Sequence, residues 1–161
     1  MEPVKIGLLG LGTVGGGTVT VLTRNGDEIA RRAGREILIS HAAAKAFRRE
    51  AIEGIDRIPR ISDDAWQVVA DPEVAIVIEL IGGYSPAREL VLQAIANGKH
   101  VVTANKALIA KHGNEIFAAA QAKGVMVAFE AAVAGGIPII KALREGLTAN
   151  RIEWLAGIIN G

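Results

Sequence analysis

Three glycines, Gly10, Gly12 and Gly15, spell G-x-G-x-x-G between an apolar run at residues 4–9 and a stretch of helical spacing from Thr13 to about residue 24. By position alone they say little, because the chain carries 19 glycines. Their setting says more. A strand that hands over directly to a helix through bare glycine leaves backbone N–H groups facing outward, where a pyrophosphate can sit. Gly10 permits the tight turn, Gly12 lets the backbone approach the ligand, and Gly15 lets the helix pack closely on the strand. Leu11, Thr13 and Val14 complete the crossover, with Thr13 and Val14 nearest the phosphates. The helix dipole favours negative charge at that point. The alternative is a glycine-rich turn without a ligand.

The rest of the chain repeats the alternation of strand and helix. Residues 37–44 form a second apolar stretch. Ser62, Asp63 and Asp64 read as a helix cap before Trp66 to Val69, and Asp71-Pro72 breaks that helix. Residues 74–81 are a near-continuous apolar run closed by Gly82-Gly83. A helix opens at Ser85-Pro86, carries Leu90, Val91, Ala94 and Ile95 on its apolar face, and ends at Asn97-Gly98. A strand at 100–103, a helix at 114–123 and a strand at 125–129 follow. Apolar runs without period-two alternation mean strands buried on both faces. The class is therefore α/β, a Rossmann-type doubly wound parallel sheet. Residues 46–60 receive no assignment.

The last segment differs. Gly135-Gly136-Ile137-Pro138 leads into a helix expected to run to about residue 147, and residues 152–159 read as a strand. These features divide the chain into a dinucleotide-binding domain at 1–136 and the start of a truncated second domain at 137–161. Left uncovered, Ile139, Ile140, Leu143, Trp154, Leu155 and Ile158 would form an apolar patch that drives self-association.

Composition narrows the function. Eighteen Lys and Arg against 17 Asp and Glu give a net charge of +1, so no basic field exists for nucleic acid or an anionic membrane. No cysteine is present, which removes thiolate metal sites and thioester chemistry. The opening residues lack an export signal, and no apolar run approaches the ~20 residues of a membrane span. The expected location is cytoplasmic.

Ligands of open α/β sheets bind beyond the carboxyl ends of the strands. After the second strand, an NAD site usually offers Asp or Glu to the ribose hydroxyls, ~20 residues past the glycines. Here Lys45, Arg48 and Arg49 stand instead. That favours NADP over NAD, with Lys45 or Arg48 on the 2′-phosphate; a solvated basic turn is the alternative. Ile81, Gly82 and Gly83 bring bare backbone to the nicotinamide side. Thr103-Ala104-Asn105-Lys106 brings an amide and an amine. Lys106 could stabilise negative charge on a carbonyl oxygen during hydride transfer or relay a proton, or be an ordinary first-turn lysine. Asn105 reads as the cap of a short helix after it. Glu130 is either a ligand-site carboxylate or a capped structural one, and the small residues after it could wrap a hard cation with backbone oxygens. Glu79, in mid-strand, is a buried charge that needs a partner. His41, His100 and His112 show no ligand spacing.

Several segments together resemble homoserine dehydrogenase: GLLGLGTVGGGTVTVL from Gly7, ELIGG from Glu79, ANGKHVVTANKALIA from Ala96, EAAVAGGIPIIKALREGL from Glu130 and GIING from Gly157. The likeness covers nearly the whole chain except about 46–72. It implies a dehydrogenase that interconverts aspartate 4-semialdehyde and homoserine with NAD(P)(H), toward threonine, methionine and isoleucine, with a small-molecule substrate and a homo-oligomer. It implies that Lys106 lies near nicotinamide and substrate. It also implies a monovalent cation, commonly sodium, at Glu130, Val133, Gly135 and Ile137. Where the family often has Arg-Asp after the second strand, this chain has Lys45-Ala46. The family's substrate carboxylates and main acid/base lysine lie beyond Gly161, so the chain is expected to bind cofactor without turnover. A stand-alone dinucleotide sensor without chemistry is the competing reading.

Overall fold

The computed structural model describes residues 2–158. Six strands form one parallel sheet: β1 (Val4–Leu9), β2 (Ile37–Ala43), β3 (Arg60–Ser62), β4 (Ile76–Glu79), β5 (His100–Thr103) and β6 (Val127–Ala128). Their spatial order is β3-β2-β1-β4-β5-β6, so the direction of winding reverses between β1 and β4. The connections carry α1 (Thr13–Arg24), α2 (Gly26–Ala33), α3 (Ala65–Ala70), α4 (Ala87–Ala96) and α5 (Lys106–Lys123). This is the doubly wound Rossmann arrangement, with its ligand crevice at the reversal.

Two apolar clusters fill the interior. One gathers Leu9, Val77 and Val101 from the strands with Val68, Leu90, Ile95 and Ile116 from α3, α4 and α5. The other gathers Ile6, Leu8 and Ile39 with Val19 of α1 and Ile52, Ile55 and Ile58. Alternate residues of β1 serve opposite clusters, as the pleat requires. A bulge in β2 adds one residue, Ser40, between the pairs Ile6–Ile39 and Gly7–His41. The extra residue shifts the phase, so Ile39 and Ala42 join one cluster while Ala43 joins the other. Leu8, Leu9, Leu90 and Leu108 are completely buried, each contributing roughly 1.5–3 kcal/mol through removal from water.

Several expectations need correction. The short helix expected after Asn105 and the helix expected at 114–123 are one continuous helix from Lys106, capped by the Asn105 side chain accepting from the Leu108 amide at 3.1 Å. Helix α2, strand β3 and two single 3-10 turns at Arg49–Ala51 and Ile55–Arg57 occupy ground left unassigned or unremarked. The expected strand at 125–129 shrinks to two residues. Past Gly136, a short helix α6 (Ile139–Lys141) runs into one wide helical turn at Ala142–Gly146. The expected strand at 152–159 is absent over 152–158, and Ile159 lies outside the described residues. A strand exists only with a neighbour to take its N–H and C=O groups, and none runs alongside. No residue from 133 to 158 is buried, and Trp154 and Ile158 are 78% and 94% exposed. No described helix is long and apolar enough to cross a membrane.

Candidate functional site

Strand register sets the site. Ala43, Leu9, Glu79 and Thr103 lie side by side at the carboxyl ends of β2, β1, β4 and β5. The loops that leave them therefore share one edge. They hold Lys45, then the glycine crossover, then Ile81 to Gly83, then Lys106. Those are the residues expected to bind cofactor.

The three glycines of the crossover have separate reasons. Gly10 has φ +100°, and a Cβ there would lie 2.8 Å from the Leu80 carbonyl oxygen. A Cβ on Gly15 would lie 2.0 Å from the Gly10 carbonyl oxygen. The fold itself demands both. Gly12 is different: its φ is −73°, it is exposed, and a Cβ would meet nothing within 4 Å. Nothing inside the protein requires glycine there. Helix α1 starts at Thr13, within the expected window, with Gly12 as a cap that has no side chain to offer and no acid in the first turn. Its first N–H groups have no intrahelical partner. Thr13 and Val14 are exposed beside them, while Leu11 is buried in the core and contributes backbone only.

After β2, Arg48 pairs with Glu50 at 3.3 Å and Arg49 with Asp56 at 2.6 Å. Lys45 is exposed and takes part in no ion pair among the described residues. It is the available cation at that strand end.

Glu79 now has partners. It is fully buried, and its Oε1 accepts the Ile81 and Gly82 amides at 2.8 and 3.1 Å while its Oε2 accepts the Thr103 hydroxyl at 2.6 Å. The hydroxyl of Thr103 in turn accepts the Asn105 amide at 3.0 Å, and Asn105 Nδ2 donates to the Gly83 carbonyl at 2.7 Å. Thr103, expected to touch cofactor, thus has its side chain committed inward. Lys106 is exposed at the first position of α5. A cation there opposes the helix dipole, an arrangement that costs a helix about 0.3–1 kcal/mol.

Glu130 is half-buried and caps a helix. Its carboxylate oxygens accept the Ile140 and Lys141 amides at 2.9 and 2.8 Å, fixing the start of α6. Between them, Val133 is half-buried, Gly135 and Ile137 are exposed, and Ala134 and Gly136 have φ 46° and 84°. Among the described residues no group of three or more His, Asp or Glu could hold a metal. A cation here would rest on carbonyl oxygens plus Glu130, a hard-oxygen set suited in kind to a hard ion.

The histidines are structural. His41 is buried, with Nδ1 3.2 Å from Asp71, whose carboxylate also meets Arg60. Burial tends to raise the Asp71 carboxyl, but the Glu73 amide, His41 and Arg60 together hold it below its ordinary value. Burial lowers the nearby Lys99 ammonium, which donates to the carbonyls of Asp71 and Val74. His100 Nδ1 accepts the Met126 amide at 3.0 Å, and His112 packs edge-on against Tyr84. A cavity of about 450 Å³ lies between α1 and the segment around Gly54 to Arg60, lined by Lys5, Val19, Leu22, Ile37 and Ile58. It opens at the amino ends of the strands, away from the glycine crossover.

This geometry agrees with the comparisons. The family model described as homoserine dehydrogenase, NAD binding domain, matches residues 10–130. Homoserine dehydrogenase of Pseudomonas aeruginosa is 65% identical over 161 residues, covering all of this chain and 36% of that protein. The Neisseria gonorrhoeae protein is 58% identical over 161 residues and 37% of its length. The crystal structure of a homoserine dehydrogenase from Thiobacillus denitrificans has a TM-score of 0.91 and 71% identity over 99% of this chain and 37% of that one. A hyperthermophilic archaeal homoserine dehydrogenase in complex with NADPH shares the fold, with a TM-score of 0.74 at 24% identity. The chain thus spans little more than a third of the length of its curated relatives. It belongs to the homoserine dehydrogenase family, matching that family's NAD-binding domain.

Proposed function

We propose that this chain binds NADP in preference to NAD and supplies the cofactor side of a homoserine dehydrogenase, the enzyme that interconverts L-aspartate 4-semialdehyde and L-homoserine. The observation that carries the binding claim is Gly12: a glycine the fold does not need, at the uncapped start of α1. The diphosphate accepts N–H groups from Gly12 to Gly15. Lys45 pairs with the 2′-phosphate, since it is the cation at the end of β2 outside any described ion pair. When bound, the cofactor supplies hydride chemistry. Lys106 then stabilises negative charge developing on the aldehyde oxygen, or hands it a proton. A monovalent cation, sodium in kind, would be held by oxygens of Glu130, Val133, Gly135 and Ile137 in the loop that follows β6.

Residues 1–136 form the cofactor domain and 137–161 begin the surface that meets the rest of a homo-oligomeric enzyme. The exposed Trp154, Leu155 and Ile158 support that division. The chain spans 36% of its Pseudomonas relative, and alone it holds the dinucleotide without turning over substrate.

Fluorescence titration tests this reading. NADPH should bind saturably and at least roughly tenfold more tightly than NADH, the gain of one charge-assisted hydrogen bond. Lys45→Glu should erase or reverse that ratio. No saturation with either nucleotide at millimolar concentration would refute the cofactor claim. Equal affinities in the parent chain would refute the role of Lys45.

A further inference from the structure

The buried carboxylate of Glu79 joins two loops that are 20 or more residues apart in sequence but adjacent at the site. The hydrogen bonds form a closed ring. They run from the Ile81 and Gly82 amides to Glu79, through the Thr103 hydroxyl to the Asn105 amide, and from Asn105 Nδ2 back to the Gly83 carbonyl. Asn105 also caps α5, so Lys106 stands on the same ring. Gly82 and Gly83 both have positive φ, 81° and 70°, and the ring is what fixes that turn.

The ring decides what the turn can offer. Its Ile81 and Gly82 N–H groups are bonded to Glu79 and its Gly83 carbonyl to Asn105, so among the described residues the Ile81 and Gly82 carbonyls are the acceptors of the turn left without a backbone donor. The crossover after β1 offers the opposite, free N–H groups. Donors suit a diphosphate. Acceptors suit the hydroxyls of a ribose and the amino group of a carboxamide, which are the donors of the nicotinamide half. Resting on the cofactor reading above, we propose that Glu79 is a positioning residue. It sets the 81–83 turn and the Lys106 end of α5 as one unit for the nicotinamide half of the dinucleotide, and acts on that half alone.

The test compares two ligands by calorimetric titration of the whole chain. One is NADP⁺. The other is adenosine 2′-phosphate 5′-diphosphate, which is NADP⁺ cut at the diphosphate; NAD⁺ and ADP form the parallel pair. Glu79→Gln keeps the side-chain volume but puts an amide N–H where a carboxylate oxygen accepted, either facing the Thr103 hydroxyl, whose bond must then reverse, or facing the Ile81 and Gly82 amides, whose bonds are then lost. It should weaken NADP⁺ roughly tenfold and leave the cut ligand within about twofold. Thr103→Val removes the Glu79–Thr103 link and the acceptor of the Asn105 amide as well, and should show the same selectivity, while Thr103→Ser should bind NADP⁺ like the parent. Should Glu79→Gln fail to fold, the Thr103 pair decides. Variants that weaken both ligands equally would reveal a merely structural role and overturn the proposal, as would variants that bind both like the parent. A parent chain that binds neither ligand defeats the cofactor reading itself and the inference with it.

Discussion

The crossover after β1 is built from side chains that are missing, whereas the crossovers after β4 and β5 are built from side chains that are buried. The first is held by sterics. One added carbon at Gly15 would strike backbone at 2.0 Å, while one at Gly12 would meet open space. The second pair is held by polar complementarity: Glu79, Thr103 and Asn105 bond to each other and to the backbone they organise. The difference teaches where each part of the candidate site is vulnerable. The crossover after β1 fails when atoms are added. The crossovers after β4 and β5 fail when a donor and an acceptor are exchanged.

The sharpest way to break this contrast is at Gly15. Gly15→Ala should destabilise the chain by about 3 kcal/mol or more, because the obstacle is rigid backbone. Chemical denaturation checks it, and near-parental stability would show that the crossover has slack. Gly12→Ala should do the reverse. At φ −73° alanine is unstrained, so stability should hold or rise by about 0.4–1 kcal/mol, while dinucleotide affinity falls at least roughly tenfold. Loss of stability without loss of binding would assign Gly12 to the fold instead. On the other side, Asn105→Ala should cost about 1 kcal/mol through its lost cap, and should weaken NADP⁺ more than the ligand cut at the diphosphate.

The smallest effect concerns neither crossover and serves as the control. Folding lowers the Asp71 carboxyl, so the unfolded chain holds that proton more tightly. The stability Asp71 contributes is present above about pH 4 and is lost as pH falls through its lower folded-state value. Thermal unfolding between pH 6 and 2 should show this acid loss, and Asp71→Asn should flatten it. Dinucleotide binding near neutral pH should remain parental in that variant.

Most of the crossover after β1 was legible in the sequence, because its signal is local. Strand β1, three glycines and helix α1 are contiguous, and the structure reproduces their bounds. Strand β5 and helix α4 were legible for the same reason, with apolar runs and glycine stops adjacent in sequence. The crossovers after β4 and β5 were only half legible. Glu79 stood out as a buried charge, but its partners are two amides of its own loop and a threonine 24 residues on, which no spacing rule picks out. Asn105 read as the cap of a short helix separate from the one at 114–123, yet the two are a single helix, α5, in which Gly113 is buried. Helix α2 was missed because it buries nothing, and β3 because three residues with a single apolar one carry no period. The strand expected at the tail failed for the opposite reason. Its apolar run was real, but a strand is defined by a neighbour, and the sequence could not say whether one was there.

The central claim is that the start of α1 receives a diphosphate. Amide NMR of the chain during titration with NADPH tests it most directly. The Gly12, Thr13, Val14 and Gly15 N–H signals should shift furthest and saturate together, while those of Ile81 and Gly82, already bonded to Glu79, move less. Saturating shifts centred on any other part of the molecule, or none at the glycine crossover, would contradict it.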